Sequence, residues 1–403
     1  MPIQYTPTDV LHNAWWIGAT GLIASLIATP IVRLIAYRTR VVDRPDDLLK
    51  PHDRPVAYLG GVAMCFGLLV GLGVYVTVMP DAGRHWSDLK VHLAGGRLGM
   101  LTDNPLWKLL AIAVSSLVVM TVGLIDDLRD IQPRTKVLGQ ALAAAVLLLG
   151  GVGIRMAKVV VYGIDVPAWI LIPFSALMLM IVVIATCNAS NLLDGLDGLC
   201  GGVTGIIALG FLALAVWLAM WGHFPGTDEL RVALCLAMAG GVLGFLPYNI
   251  PPASIFMGDA GSMLLGFFVA TMMALFCEEG TIRWLIAACA VFALPILDTA
   301  LAVVRRVLSK KSIFAGDRSH LYDQLVDRGM TVKQVMGLFY ALAAVAAGIG
   351  VAVAIFVRAR YAIAVYAILL AVIWAGFHKL GMIRPQQQGQ VEAEEPESSS
   401  EDS

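Results

Sequence analysis

The feature that most limits what this chain can fold into is the repeated alternation of long apolar runs with short polar connections. A helix that crosses a bilayer needs roughly 17 to 25 mostly apolar residues, and about eleven runs here meet that length. They centre on residues 13–37, 56–79, 106–125, 137–154, 168–187, 199–221, 232–250, 262–277, 284–304, 333–357 and 361–378. With 59% hydrophobic and only 14% charged residues in a chain of 403, and a mean hydropathy of +0.80, a soluble domain is excluded. The expected fold is an all-α polytopic membrane protein of about 11 transmembrane helices. One stretch, "KVVVYGIDV" at 158–166, alternates well enough to suggest a small external β-hairpin turning at Tyr162 to Asp165.

The first run lacks a small-residue cleavage site and is followed by a basic loop, so it reads as a retained helix and not a signal peptide. An odd number of spans sets the two termini on opposite sides, and the distribution of Lys and Arg then fixes the orientation. The loops after runs 1, 3 and 9 and the C-terminal tail together hold 17 basic residues, against 10 on the other side and Arg33 within the first run. That excess puts those loops and the C-terminus in the cytoplasm and the N-terminus outside, as for a multi-pass protein of a bacterial inner membrane. The net charge of −1 carries no information about partners, and no nucleic acid is expected. The six cysteines fall in or beside apolar runs with no CxxC spacing and act as small hydrophobes. Residues 1–384 form the membrane domain, whereas 385–403, "PQQQGQVEAEEPESSSEDS", is an acidic tail expected to be disordered.

Carboxylates beside or within spans are expensive to bury and are functional candidates for that reason. Their sidedness is informative. "GLIDDLRDIQPRTK", "NASNLLDGLDGL", "YNIPPASIFMGDAGS" and "SKKSIFAGDRSHLYDQLVDRG" all fall on the cytoplasmic side, while the external loops are blander.

Adjacent helical residues point about 100° apart, so Asp126 and Asp127 cannot address one point. One would face a site and the other would bind its own partner, although such a pair can also be two solvated acids at a helix end. In "DGLDG" a helical conformation would put Asp194 and Asp197 on one face, with Asn188 and Asn191 at the same spacing and able to orient a ligand. Like charges that close need a shared cation or donors. The bland alternative is a glycine-rich turn. Asp259 opens the eighth run, where it can cap the helix or hold a divalent cation at an end that suits phosphate. The last loop adds Arg305, Arg306, Lys310, Lys311, Arg318 and His320. Acids for a metal and bases for phosphates are the parts of a phosphoryl-transfer site.

Together, "VVDRPDDLLKPHDRPVAYLGG" (41–61), "GLIDDLRDI", "NASNLLDGLDGL", "GFLPYNIPPASIFMGDAGS", "PILDT" (295–299) and "DRSHLYDQL" resemble, in order and spacing, the polyprenyl-phosphate N-acetylhexosamine-1-phosphate transferases, relatives of phospho-N-acetylmuramoyl-pentapeptide transferase. The resemblance covers nearly the whole chain outside the tail. It implies transfer of a sugar 1-phosphate from a UDP-N-acetylhexosamine to undecaprenyl phosphate in the membrane, with release of UMP. The lipid diphosphate-sugar so formed would start a cell-envelope polysaccharide.

Carried over position by position, the resemblance makes Asp259 the Mg²⁺ ligand (with Mn²⁺ as a substitute) and Asp126, with Asp127 beside it, the acids that assist the lipid phosphate. It makes Asn188, Asn191, Asp194 and Asp197 nucleotide and metal-proximal groups, and it places Lys136, Arg318 and His320 near the phosphates and sugar. A homodimer is a further implication. One branch of the family reads His-Ile-His-His in the last loop, where this chain reads His320, Leu321, Tyr322, Asp323. In this departure the chain resembles branches that handle other N-acetylated or deoxy sugars, which stand as the alternative to N-acetylglucosamine, the leading sugar.

Two rival classes give different patterns. A CDP-alcohol phosphotransferase would need an Ala-Arg after its DG pair, which "DGLDGLCGG" lacks. A transporter would carry charges at mid-depth, where only Arg33 and Asp298 come close.

Overall fold

The computed structural model describes residues 4–43, 55–78, 82–94, 101–161, 163–221, 227–310, 320–357 and 359–382. Helices α1 (Pro7–Leu11) and α2 (Trp15–Thr39) lead into a two-residue antiparallel ribbon, β1 (Val42–Asp43) with β2 (Val56–Ala57). Next come α3 (Gly60–Val78), α4 (Ala82–Ala94), α5 (Pro105–Arg129), α6 (Pro133–Leu149), α7 (Ala168–Leu193) and α8 (Leu199–Ala219). The chain continues through α9 (Thr227–Asn249), α10 (Gly258–Cys277), α11 (Ile282–Val291), α12 (Ala293–Leu308), α13 (Leu321–Asp327), α14 (Val332–Phe356) and α15 (Ala359–Lys379). The all-α membrane class expected from the sequence is the one observed.

Nine of the described helices are long and apolar enough to cross a membrane, and a tenth results if α11 and α12 count as one span. The difference from eleven has two local causes. The run at 137–154 is the 17-residue helix α6, which stops at Gly150 before Gly151 and Gly153 turn the chain with positive φ. The run at 284–304 breaks at Phe292, where α11 and α12 meet at 75°. The expected external hairpin is also absent among the described residues of 158–166. Met156–Val159 is a 3₁₀ turn that buries Met156, Ala157 and Val159, and Gly163 takes φ +80°. Alternation alone does not hold two strands together, since an isolated hairpin is marginal without a third strand or a packed face. Tyr162, Arg318 and the tail 385–403 lie outside the described residues.

The core is built around α10, every residue of whose membrane-length window is buried. Helices in lipid gain no hydrophobic drive toward one another and associate by close packing, which small residues permit. Gly123 of α5 shows how. A Cβ there would stand 2.5 Å from the Ala260 nitrogen and the Asp259 carbonyl oxygen of α10, so the two backbones touch. Gly266 of α10 makes a comparable backbone contact with Thr186 and Cys187 of α7. Both contacts lie within two turns of the polar ends of α5 and α7, and they bring the acids and amides of those ends to the first turn of α10. The opposite end of α10 is pinned by charge: Arg231, fully buried, donates to Asp228 at 2.5 Å and to the Leu275 carbonyl at 2.6 Å, while Lys108 pairs with Glu278 at 2.7 Å.

Candidate active site

Helix α5 starts on an Asn104 cap, whose side chain accepts from Leu106 and Trp107, and ends one residue before Asp130 enters the left-handed region at φ 48°. Its last turn carries the aspartate pair, and the two carboxylates diverge. Asp127 turns to α10 and accepts the backbone N–H groups of Asp259 at 2.7 Å and Ala260 at 3.1 Å. A helix start leaves its first N–H groups without partners, and a neighbouring helix supplies the acceptor here. Gly258, with φ +69°, makes the approach feasible, because a Cβ on it would lie 2.5 Å from an Asp127 oxygen. Of the two roles open to Asp259, that of capping α10 is therefore ruled out: the N-cap position is Met257, which contributes no side-chain bond, and Asp127 satisfies the end from outside. The Asp259 side chain is left to face the other way.

There it meets three helices. Lys136, in the first turn of α6, donates to Asp259 Oδ2 at 2.6 Å and also pairs with Asp126 Oδ2. The other Asp126 oxygen accepts the Ile131 N–H at 3.0 Å, which fixes the carboxylate relative to the α5–α6 turn. Asn191 of α7 donates to Asp259 Oδ1 at 2.7 Å and to Ser262 Oγ at 3.0 Å. Asn188, one turn earlier, donates to Gln140 Oε1 at 3.3 Å and to the Ile184 carbonyl at 2.7 Å, so it joins α7 to α6 without touching Asp259.

Asp194 and Asp197 are not on a helix. Helix α7 ends at Leu193, Asp194 is its C-cap, and the chain turns through Gly198 at φ +73° before α8 begins. The two carboxylates are therefore separated in role. Asp197 accepts the Ala253 N–H at 2.9 Å and anchors the loop that leads into α10. The same loop is tied by Asn249, which accepts from Gly198 N–H at 3.1 Å and donates to the Ile255 carbonyl at 3.0 Å. Burial, reinforced by Asp259, Asp127 and Asp197, holds the Asp194 carboxyl well above the usual aspartate range. Tyr58, just before α3, feels burial and the same carboxylates, Asp127, Asp194 and Asp259, and its hydroxyl is pushed far up. It remains a hydrogen-bond donor at any physiological pH.

His320 precedes α13 and is buried at 4% exposure. Its Nδ1 lies 2.8 Å from Asp298 Oδ2, and its ring stacks on Tyr322. Tyr322 donates to the Leu192 carbonyl at 3.1 Å, so the last loop is bonded to the end of α7. Among the residues expected from the sequence, Asp126, Asp127, Lys136, Asn191 and Asp259 form one bonded set, with Asn188, Asp194, Asp197 and His320 around it. Gln140, Ser262, Tyr58 and Tyr322 were not anticipated. Asp298 was given no role: it stood out as a carboxylate within an apolar run and as part of the "PILDT" motif.

The donor chemistry fits a hard divalent cation. Asp126 Oδ2 and Asp259 Oδ2 converge on a single cationic centre, the Lys136 ammonium. Among the described residues no group of three or more His, Cys, Asp or Glu gathers at metal-ligating distance. Two carboxylates, completed by water and substrate phosphates, is the set that Mg²⁺ commonly takes.

Residues 109–277 match the model for glycosyl transferase family 4. The chain is 32% identical over 378 residues to a decaprenyl-phosphate N-acetylglucosaminephosphotransferase of Mycobacterium tuberculosis, covering 89% of this chain and 86% of that protein. It is 30% identical over 337 residues to the protein of the same name in Mycobacterium leprae, covering 80% and 79%. It is 26% identical over 345 residues to the undecaprenyl-phosphate alpha-N-acetylglucosaminyl 1-phosphate transferase of Escherichia coli K12, covering 83% of each chain. The matched region contains the aspartate pair, Lys136, the Asn188–Asp197 stretch and Asp259.

Proposed function

We propose, from the premise that this chain belongs to glycosyl transferase family 4, that it is a polyprenyl-phosphate sugar-1-phosphate transferase. It moves N-acetylglucosamine 1-phosphate from UDP-N-acetylglucosamine to a polyprenyl phosphate and releases UMP. The sugar follows the names of the relatives. Undecaprenyl phosphate is the acceptor, and the lipid diphosphate-sugar starts a cell-envelope polysaccharide. The observation that carries this reading is the convergence of Asp126, Lys136, Asn191 and Asp259 from four helices on one point.

The chemical difficulty of the reaction is repulsion, not nucleophilicity. A phosphate monoester with a second pKa near 6 is largely dianionic at neutral pH and needs little deprotonation. It must approach an anionic diphosphate, so catalysis reduces to charge neutralisation and in-line positioning. Lys136 supplies a fixed positive charge, Asp126 orients the acceptor phosphate, Tyr58 supplies a neutral donor, and Asn191 spends its amide N–H groups holding Asp259 and Ser262 in place. Asp259, with Asp126, would hold Mg²⁺, which when bound neutralises charge on the diphosphate. Direct attack by the lipid phosphate is favoured over an aspartyl-phosphate, since both Asp127 oxygens are committed to backbone N–H groups of α10. The excess of Lys and Arg in the loops at this end supports a cytoplasmic site in a bacterial inner membrane.

The test is UMP release by the purified protein in detergent, with undecaprenyl phosphate and a panel of UDP-sugars. Lipid-dependent release that is fastest with UDP-N-acetylglucosamine is expected. Release with none of the UDP-N-acetylhexosamines would overturn the assignment. A stoichiometric burst of UMP without lipid, with label left on the protein, would overturn direct attack.

A further inference from the structure

Asp298 has no part in the chemistry described so far, yet at 1% exposure it is among the most deeply buried carboxylates of the described residues. It sits one turn into α12, on the far limb of the 75° bend from α11. Both of its oxygens face the start of α13: Oδ1 accepts the Leu321 N–H at 2.7 Å, and Oδ2 lies 2.8 Å from His320 Nδ1. A carboxylate that already accepts a backbone N–H on one oxygen is set up as an acceptor on the other. The imidazole proton therefore belongs on Nδ1, since the bond made by one ring nitrogen decides the state of its partner.

The histidine is held from a second direction. The Tyr322 ring stacks on it with centroids 5.5 Å apart and 6° between planes, and the Tyr322 hydroxyl is bonded to Leu192 at the end of α7. Gly195 leaves the room that this phenol occupies, because a Cβ at residue 195 would collide with the Tyr322 ring.

We propose that Asp298 is a positioning residue of the transferase. It fixes His320 with its proton on Nδ1, so that Nε2 is the ring nitrogen offered to the substrate. Tyr322 couples that orientation to the Asn188–Asp197 stretch. In this tautomer Nε2 is an acceptor, and its partner is a donor on the substrate, a sugar hydroxyl or the acetamido N–H. The inference rests on the transferase reading above.

Asp298→Asn keeps an acceptor for the Leu321 N–H but turns an amide N–H toward Nδ1, which moves the ring proton to Nε2. A drop of about 10- to 100-fold in kcat/KM is expected, the scale seen when the partner that orients a metal-ligating histidine is removed. In a His320→Ala background the same change should cost almost nothing more, because its effect passes through the ring. An equal loss in both backgrounds would make Asp298 a purely structural residue and overturn the proposal, as would wild-type activity in Asp298→Asn. Nitrogen-15 spectra of histidine-labelled wild-type protein, with the His320 signal assigned through its loss in His320→Gln, test the tautomer even where Asp298→Asn fails to fold. Protonation at Nδ1 is expected, and protonation at Nε2 overturns the inference. Wild-type protein that releases no UMP would instead sink the transferase reading, and the spectra would still decide the tautomer.

Discussion

The Asp127 carboxylate accepts the Asp259 backbone N–H at 2.7 Å, so one acid of the site holds the backbone of another. Removing a side-chain cap costs about 0.5–2 kcal/mol. Asp127→Ala should therefore destabilise the protein by that amount, read as a lower thermal midpoint in detergent, and it should slow UMP release because the first turn of α10 loses its anchor. Asp127→Asn keeps one acceptor oxygen and should recover part of the stability. Unchanged midpoints in both variants would show that water caps α10 equally well.

The approach of α5 to α10 depends on Gly123, where a Cβ would meet backbone at 2.5 Å. Backbone cannot move aside as a flexible side chain can, so Gly123→Ala should destabilise the protein by about 1–3 kcal/mol, the usual penalty of overpacking. It should also reduce activity by shifting Asp126 away from Lys136. Gly73→Ala is the control, because a Cβ at residue 73 meets nothing within 4 Å. Equal midpoints for the two variants would remove close approach as the reason for Gly123.

What was legible in the sequence follows from range. The apolar runs are read from the length of each segment alone, and α2, α3, α5 and α7 to α10 stand where those runs lie. The divergence of Asp126 and Asp127 follows from helix geometry, and the structure gives each its own partner. The identity of those partners was not legible, because Asp127 meets Asp259 only through the contact of Gly123 with Ala260, which no local pattern encodes. Asp194 and Asp197 have helical spacing, but Gly198 takes a left-handed φ and the stretch turns, so spacing alone misassigned their common face. The stretch 158–166 failed for the opposite reason: it has the strand period, and among the described residues no further strand for it to pair with.

The α13 cap gives a pH dependence with a definite sign. Burial raises the Asp323 carboxyl to about 6, while its bond to the His320 N–H at 3.2 Å opposes the shift only in part. A carboxyl with a raised folded-state pKa binds its proton more tightly when folded. Its stabilising contribution is complete below the unfolded value near 3.9 and is lost as pH rises through about 6. Asp323→Asn cannot ionise and keeps an acceptor for the His320 N–H. Relative to this variant, the wild-type midpoint should fall between pH 4 and about 6 and then run parallel above pH 7. A constant difference across that range would mean that Asp323 titrates normally.

Lys136 stands where two carboxylates, Asp126 and Asp259, meet, and this leads to the sharpest expectation about metal. Without the ammonium the two acids face each other uncompensated, and like charges that close need a shared cation. Lys136→Ala should therefore be less stable than wild type in EDTA, and Mg²⁺ should raise its midpoint more than it raises that of wild type. Saturation at 100 times Kd is worth about 2.7 kcal/mol. Asp259→Ala should lose both the Mg²⁺-dependent shift and at least about 100-fold in turnover, the scale of losing one charge-stabilising group at a phosphoryl or acyl centre. The thermal shift needs no substrate, so it separates loss of metal from loss of nucleotide. If Mg²⁺ stabilises Asp259→Ala as much as wild type, the cation is held elsewhere, and the pairing of Lys136 with Asp126 and Asp259 is a structural salt bridge.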